Sequence, residues 1–226
     1  GTVIQIGSVI ILARLLSPND WGLVTMATVI TNFFFVFQEL GLADATIQAS
    51  RLKHEQVSTL FWINVAFGLL ITIVLVALSP AVAWFYKKPE ITLIMIVSSI
   101  GFIFTGLYTQ HIALLKRNML FVKVSIIEVL SGLLSVLASI LLALLGWRYW
   151  AIVLRPVILG LIMTILAWMF CNWRPGPPKR NTGVRPLLKL GVNSVGYYVA
   201  NYFSSNMDKT LIGKRFGAEE LGYYSR

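Results

Sequence analysis

Seven long apolar stretches dominate this sequence of 226 residues. They cover residues 1–16, 21–37, 57–79, 91–109, 124–146, 149–170 and 190–212. A bilayer core of about 30 Å requires roughly 20 apolar residues per helix, and soluble domains do not repeat runs of that length. The stretch 57–79 contains no charged residue, and 124–146 contains only Glu128. The sequence therefore predicts an all-α fold, a polytopic membrane helical bundle of about seven spans.

The composition excludes most soluble classes of protein. Hydrophobic residues make up 57% of the chain and charged residues 12%, whereas a soluble domain has about a quarter of its residues charged. The formal charge of +10 does not indicate a nucleic-acid partner, because the basic residues lie in short loops between apolar runs. Cys171 is the only cysteine, and His54 and His111 lie far apart in predicted loops. We therefore expect no metal site, no cofactor and no enzymatic activity.

Lysine and arginine are distributed unequally between the two sets of loops. Ten lie after the second, fourth and sixth spans: Arg51, Lys53, Lys116, Arg117, Lys123, Arg174, Lys179, Arg180, Arg185 and Lys189. Four lie at the ends of the first, third and fifth spans or in the loops that follow: Arg14, Lys87, Lys88 and Arg148. Because cytoplasmic loops carry the excess of positive charge, the sequence predicts a cytoplasmic N-terminus.

A weak internal repeat appears when the chain is shifted by 200 residues, which aligns residues 11–22 with 211–222. Asp20 then meets Glu220, and Gly22 meets Gly222. Six predicted spans precede this restart. The pattern predicts a six-helix N-terminal lobe over 1–189, followed at 190–226 by the first helix and loop of a second lobe. Many transporters build a central site between two such repeats, so we expect this sequence to be the first part of a longer protein.

Polar residues within the spans are the candidates for function. Charged groups in a bilayer are costly, so Glu128, Arg155 and Asp208 favour a functional cavity. The residues expected to line that cavity are Gln5, Ser8, Asn201, Ser204 and Ser205. The serines of the fifth span are typical of close helix packing, since small hydroxyl residues let membrane helices approach one another.

Five sequence phrases, in order, resemble one family over essentially the whole chain. They are ARLLSPNDWGLVTMA at 13–27, ELGLADATIQ at 39–48, QHIALLKRNM at 110–119, GWRYWA at 146–151 and GAEELGYYSR at 217–226. The chain thereby resembles the Wzx-type polysaccharide exporters. These are the O-antigen and exopolysaccharide flippases of the multidrug/oligosaccharidyl-lipid/polysaccharide superfamily, with functions in lipopolysaccharide and exopolysaccharide biosynthesis.

The resemblance implies a two-lobed transporter of the bacterial cytoplasmic (inner) membrane, with a cavity that opens alternately to each side. Its implied substrate is a polyprenyl-pyrophosphate-linked oligosaccharide, moved from the cytoplasmic to the periplasmic leaflet. Arg155, Lys123 and Arg14 are then candidates for binding the anionic headgroup, since fixed cations attract phosphate in a low dielectric. Glu128 and Asp208 are candidates for coupling to a proton or sodium gradient, or for internal pairing. Other polysaccharide assembly proteins are candidate partners, beside the lipid bilayer itself.

Three other functions remain open from the sequence. A cation-coupled drug or metabolite antiporter of the same superfamily would share the fold, although an acidic cavity would then be expected. A membrane polysaccharide polymerase or glycosyltransferase would need a sizeable loop with catalytic carboxylates or histidines. The longest predicted loops, 38–56 and 171–189, contain no paired acidic motif. In a purely structural membrane protein, the polar residues within the spans would require only packing partners on neighbouring helices.

Overall fold

The computed structural model describes residues 12, 15–38, 43, 46–47, 52–178 and 195–225, without the side chains of 36–37, 195–203 and 205. Within these residues the chain forms seven α-helices and no strand. They are α1 (Pro18–Gln38), α2 (His54–Tyr86), α3 (Glu90–Arg117), α4 (Phe121–Leu144), α5 (Trp150–Phe170), α6 (Val195–Phe216) and α7 (Ala218–Ser225). The all-α helical bundle predicted from the sequence is confirmed.

Four of the described helices, α2 to α5, are long and apolar enough to cross a membrane. Helices α1 and α6 occupy the positions of the second and seventh predicted spans, and each includes residues whose side chains are not described, so the four spans are those found within the described residues. The first predicted span, 1–16, lies almost entirely outside the described residues. The fold is thus a polytopic membrane bundle.

Helix α2 is longer than the sequence predicted, because Pro80 does not end it. Thirty-three residues correspond to about 50 Å of helix, more than the thickness of a bilayer core. A proline inside a helix leaves the carbonyl of the residue four positions earlier without its usual donor. Here the Ser79 hydroxyl donates to that carbonyl, Val76 O, at 2.8 Å. The predicted end of this span at residue 79 was therefore wrong, since a neighbouring hydroxyl replaces the missing amide and the helix continues.

The start of α1 is capped by its own sequence. The Ser17 hydroxyl donates to Asp20 Oδ2 at 2.7 Å and accepts from the Asp20 amide at 3.2 Å. Pro18 occupies the first helical position, where no amide hydrogen is needed. The buried Asp20 also forms an ion pair with Arg148, with 3.3 Å between Oδ1 and Nη2. Arg148 lies in the turn between α4 and α5, so this ion pair joins the start of α1 to that turn.

Successive helices run between two ends of the bundle. We call the end with the α2–α3 turn, the α4–α5 turn and the α6–α7 turn the Arg148 end. The opposite end, where α5 ends and α2 begins, is the Trp173 end. The Trp173 indole donates there to His54 Nδ1 at 3.1 Å, and the Trp62 indole donates to Gly176 O at 2.9 Å. The described residues of the two sets of loops distinguished by charge in the sequence lie at these two ends.

Helix α3 occupies the centre, with α1, α2, α4 and α5 packed against it. Glycines make the approach to α2 close. A β-carbon on Gly68 would lie 2.5 Å from Phe102 O, and one on Gly106 would lie 2.7 Å from Asn64 O. Each helix therefore contributes a glycine against the backbone of the other, which is how membrane helices gain van der Waals contact.

Glycines also bring α1 close to α7, and each of these two helices contributes one glycine that lies against the backbone of the other. The Ala218 carbonyl oxygen fills the space of a β-carbon on Gly22, and the Pro18 carbonyl oxygen fills that space on Gly222. The Thr25 hydroxyl donates to Ser225 Oγ at 3.1 Å, across a separation of 200 residues. Gly22 and Gly222, Pro18 and Ala218, and Thr25 and Ser225 are all pairs related by that shift. We call this contact the repeat crossing; its two sides are equivalent positions of the predicted repeat.

The orientation of the bundle is a testable prediction. A reporter fused after Gly176 should be cytoplasmic and one fused after Lys88 periplasmic, since the loops after the second, fourth and sixth predicted spans carry the excess of Lys and Arg in the sequence. The measurement is paired alkaline phosphatase and fluorescent-protein fusions in a bacterial host. The opposite pattern of activities would contradict the predicted orientation.

A second prediction concerns the repeat crossing. Gly22→Ala places a β-carbon against the Ala218 backbone, so we expect the full-length protein to lose about 1–3 kcal/mol of stability. The measurement is the unfolding midpoint in detergent. Gly132→Ala is the matched control, because no atom lies within 4 Å of its added β-carbon. Equal midpoints for the two variants would show that the crossing contributes nothing to stability.

Candidate functional site

Arg155 lies on α5, five residues after Trp150 and therefore near the Arg148 end. Its side chain is half-buried, and the apolar segment around it meets the standard for a membrane span. Among the residues that the structure describes, no carboxylate or hydrogen-bond acceptor pairs with its guanidinium. A cation held in a span without a protein partner is expected to face water or an anionic ligand, because lipid cannot solvate it.

Lys123 lies at the other end of the bundle. Its ammonium group donates to Phe170 O at 3.5 Å, at the last residue of α5. Arg155 precedes Phe170 by 15 residues, so about 22 Å of helix separates the two levels. The structure does not bring these two predicted headgroup ligands together. A role for both would require the headgroup to contact them at different stages of its path.

The remaining predicted residues of the first span, Arg14, Gln5 and Ser8, lie outside the described residues. So do the side chains of Asn201 and Ser205, whereas Ser204 is exposed on α6. That these residues line a cavity or bind the headgroup stays a prediction.

Glu128 lies on the outer face of α4. One of its carboxylate oxygens is 3.9 Å from Lys116 Nζ, and the two side chains are 53% and 41% exposed. An opposite charge at this distance lowers the cost of placing a carboxylate in an apolar segment. This contact is the kind of internal pairing considered for Glu128, and nothing in it points to an ion path.

Asp208 accepts a hydrogen bond of 2.6 Å from the Tyr224 hydroxyl. Asp208 lies on α6 and Tyr224 on α7, so the bond closes the angle between these two helices across the Gly217 turn. Gly217 has a φ of 92°, a conformation that side chains disfavour. Asp208 is exposed in this structure and has a partner on a neighbouring helix.

The serine stripe of α4 packs against α5. Ser131, Ser135 and Ser139 are completely buried, and the Ser139 hydroxyl donates to the carbonyl of Ala151 on α5. Glu128 does not share this buried face. The stripe therefore serves helix packing, as its small hydroxyl side chains indicated.

Sequence reasoning missed a polar cluster at the Trp173 end. His111 was expected in a loop, but α3 continues to Arg117, and both Gln110 and His111 are completely buried. Gln110 Oε1 accepts a hydrogen bond of 2.9 Å from Thr46. Arg117 donates to the Thr46 carbonyl at 2.9 Å. These bonds hold the segment at residue 46 against α3.

His54 and His111 were expected to lie far apart, which is wrong. The His111 ring stacks on Trp168 at 4.7 Å and lies 5.1 Å from the Trp173 ring, which His54 also contacts. The signal available in the sequence was the pair of tryptophans, Trp168 and Trp173, near the end of α5. Periodicity cannot show which distant helix those rings will meet.

Comparison with known proteins gives the family. A family described as "Polysaccharide biosynthesis protein" matches residues 11–226, nearly the whole chain. The teichuronic acid biosynthesis protein TuaB of Bacillus subtilis is 29% identical over 99% of this chain and 47% of its own length. The lipopolysaccharide biosynthesis protein WzxC of Escherichia coli is 26% identical, with the same two coverages.

The succinoglycan biosynthesis transport protein ExoT of Rhizobium meliloti is 25% identical over 95% of this chain and 44% of its own length. The chain thus spans about half the length of these curated relatives. No solved structure matches. Because the family match covers nearly every residue, this chain belongs to the polysaccharide biosynthesis protein family.

Proposed function

We propose that the protein moves a polyprenyl-pyrophosphate-linked oligosaccharide from the cytoplasmic to the periplasmic leaflet of a bacterial inner membrane. The movement supplies surface polysaccharide biosynthesis and proceeds by alternating access. Family membership supports a role in polysaccharide biosynthesis, and one relative is named as a transport protein. The names of the three relatives specify different glycans, so the identity of the sugar stays open.

The observation that carries this proposal is Arg155. An oligosaccharide is neutral or acidic and its pyrophosphate is anionic, so a carrier must offer positive charge inside the apolar slab. Arg155 is a half-buried cation in an apolar span with no pairing group among the described residues. A guanidinium also matches the geometry of phosphate oxygens, with which it forms paired hydrogen bonds.

The repeat crossing supports alternating access. Two lobes that rock against one another need a contact that forms on one side of the membrane when the cavity opens on the other. At the Arg148 end, α1 and α7 meet through two glycines and one hydroxyl pair. Leu221 of α7 is also fully buried there, in the same apolar cluster as Leu23 and Met26 of α1. A movement of the lobes at this end would have to break both the glycine contact and the burial of Leu221, so this contact distinguishes the closed state from the open one. We infer that it is the closed gate on the Arg148 side.

The first experiment replaces Arg155. In a bacterium that lacks its own flippase but makes the matched glycan, Arg155→Gln in the full-length protein should reduce surface polysaccharide at least about tenfold, since it removes a charge-assisted contact. Arg155→Lys should retain partial export. Arg215→Gln is the matched control, because it removes an exposed charge at the end of α6.

Normal export by Arg155→Gln would remove Arg155 from the substrate path. Failure of the unaltered protein to restore polymer, with membrane insertion confirmed, would favour the small-molecule antiporter instead.

The second experiment locks the gate closed with a disulfide cross-link. With Thr25→Cys and Ser225→Cys, whose native hydroxyl oxygens are 3.1 Å apart, we expect a disulfide to form under oxidation. Export should stop when the disulfide forms and return when it is reduced, because the gate could no longer open. Each single cysteine variant is the control for oxidation itself. Undiminished export by the fully cross-linked protein would contradict the gating role.

A further inference from the structure

A cavity at the Arg148 end brings together three lysines from two distant parts of the chain. It has a volume of about 610 Å³ and lies between the end of α2, the α2–α3 turn and the last turn of α6. Lys87 and Lys88 belong to the turn, and Lys214 belongs to α6. None of the three was among the predicted headgroup ligands. The cavity is also distinct from the positions of Arg155 and Lys123.

Local structure places each of the three lysines at the cavity. Lys87 adopts a left-handed conformation with φ 56°, and the Lys88 amide donates to Ala83 O at 3.0 Å, which ends α2 and folds the turn back. Lys214 Nζ lies 3.9 Å from the centre of the Phe85 ring, over its electron-rich face. In the described part of the chain, no carboxylate lies within 4 Å of any of the three ammonium groups. Their charge is therefore available to an external anion.

The walls of the cavity identify where that anion must come from. Trp84 lines the cavity and is 82% exposed, although it lies in the last turn of a membrane-spanning helix. Exposed tryptophan beside lysine is typical of the level of lipid headgroups, where an amphipathic ring meets both water and acyl chains. Ile73 is 64% exposed on the same helix and extends this surface toward the apolar core. The anionic group present at that level is lipid phosphate.

We propose that this cavity binds the phosphate group of a membrane lipid through Lys87, Lys88 and Lys214, with Thr92 able to donate a further hydrogen bond. The ligand is either an anionic phospholipid or the polyprenyl pyrophosphate carrier, since both present phosphate at the headgroup level. This inference goes beyond the proposed function, because binding at the cavity requires no transport. It gives the bundle a lipid site at the end opposite Lys123.

The test measures lipid retention by native mass spectrometry of the full-length protein in detergent. The probes are phosphatidylglycerol, a polyprenyl pyrophosphate and zwitterionic phosphatidylcholine. Combined Lys87→Gln, Lys88→Gln and Lys214→Gln should weaken binding of an anionic probe at least about tenfold, because each cation near a membrane surface contributes roughly fivefold. Binding of phosphatidylcholine should change little. The combined Lys→Arg variant should retain binding.

The matched control removes the same charge outside the cavity, through Lys53→Gln, Lys209→Gln and Arg215→Gln. If the combined variant folds poorly, the single variants Lys88→Gln and Lys214→Gln should each weaken binding about fivefold. A loss confined to phosphatidylglycerol assigns the site to bulk lipid, and one confined to the pyrophosphate assigns it to the carrier. Equal effects of the cavity and control variants, or none from either, would overturn the proposal. The assay involves no export, so its outcome is independent of the proposed function.

Discussion

Close approach of helix backbones at glycine is the contact on which this bundle depends. Lipid chains are as apolar as leucine, so membrane helices gain little from hydrophobic burial against one another and depend on packing instead. Gly68 and Gly106 bring α2 against the central helix α3, and Gly22 and Gly222 bring α1 against α7. Large side chains at these positions would separate the backbones. Exposed large apolar residues, which are most numerous on α4, can then face lipid without cost.

The repeat crossing gives physical meaning to a sequence match that was weak by itself. Only glycine is identical among the aligned pairs Arg14 and Lys214, Asp20 and Glu220, and Gly22 and Gly222. In the structure, each glycine of the pair lies against the residue four positions before the other. Thr25 and Ser225, also related by 200 residues, share a hydrogen bond. A reciprocal contact of this kind arises when two equivalent segments meet about a local two-fold axis.

Charge within the bundle is divided among positions with different surroundings. Glu128 pairs with the ammonium group of Lys116, and Asp208 accepts a hydrogen bond from the Tyr224 hydroxyl. Arg155 has none among the described residues, and the three lysines of the cavity have no carboxylate partner there. Unpaired positive charge therefore occurs within α5 and at the Arg148 end. An anionic headgroup crossing the membrane would meet positive charge at more than one level.

The fold class followed from the sequence because span length and apolarity are set by bilayer thickness, independently of which helices touch. Helix ends were less predictable: Pro80 does not stop α2, since Ser79 satisfies the freed carbonyl. The position of His111 in the core was missed because periodicity does not reveal contacts between distant helices. The separation of Arg155 from Lys123 required three-dimensional placement of both ends of α5. Arg14, Gln5 and Ser8 lie outside the described residues, so their part in a site stays a prediction.

The most direct test of lipid-linked glycan export is transfer between leaflets in a purified system. The full-length protein would be reconstituted into vesicles that contain a fluorescent oligosaccharide on polyprenyl pyrophosphate, with and without an imposed ion gradient. A membrane-impermeant quencher would report how much label lies in the outer leaflet. We predict that label moves between leaflets much faster than in protein-free vesicles. No acceleration under either condition, with insertion of the protein verified, would contradict the proposed function.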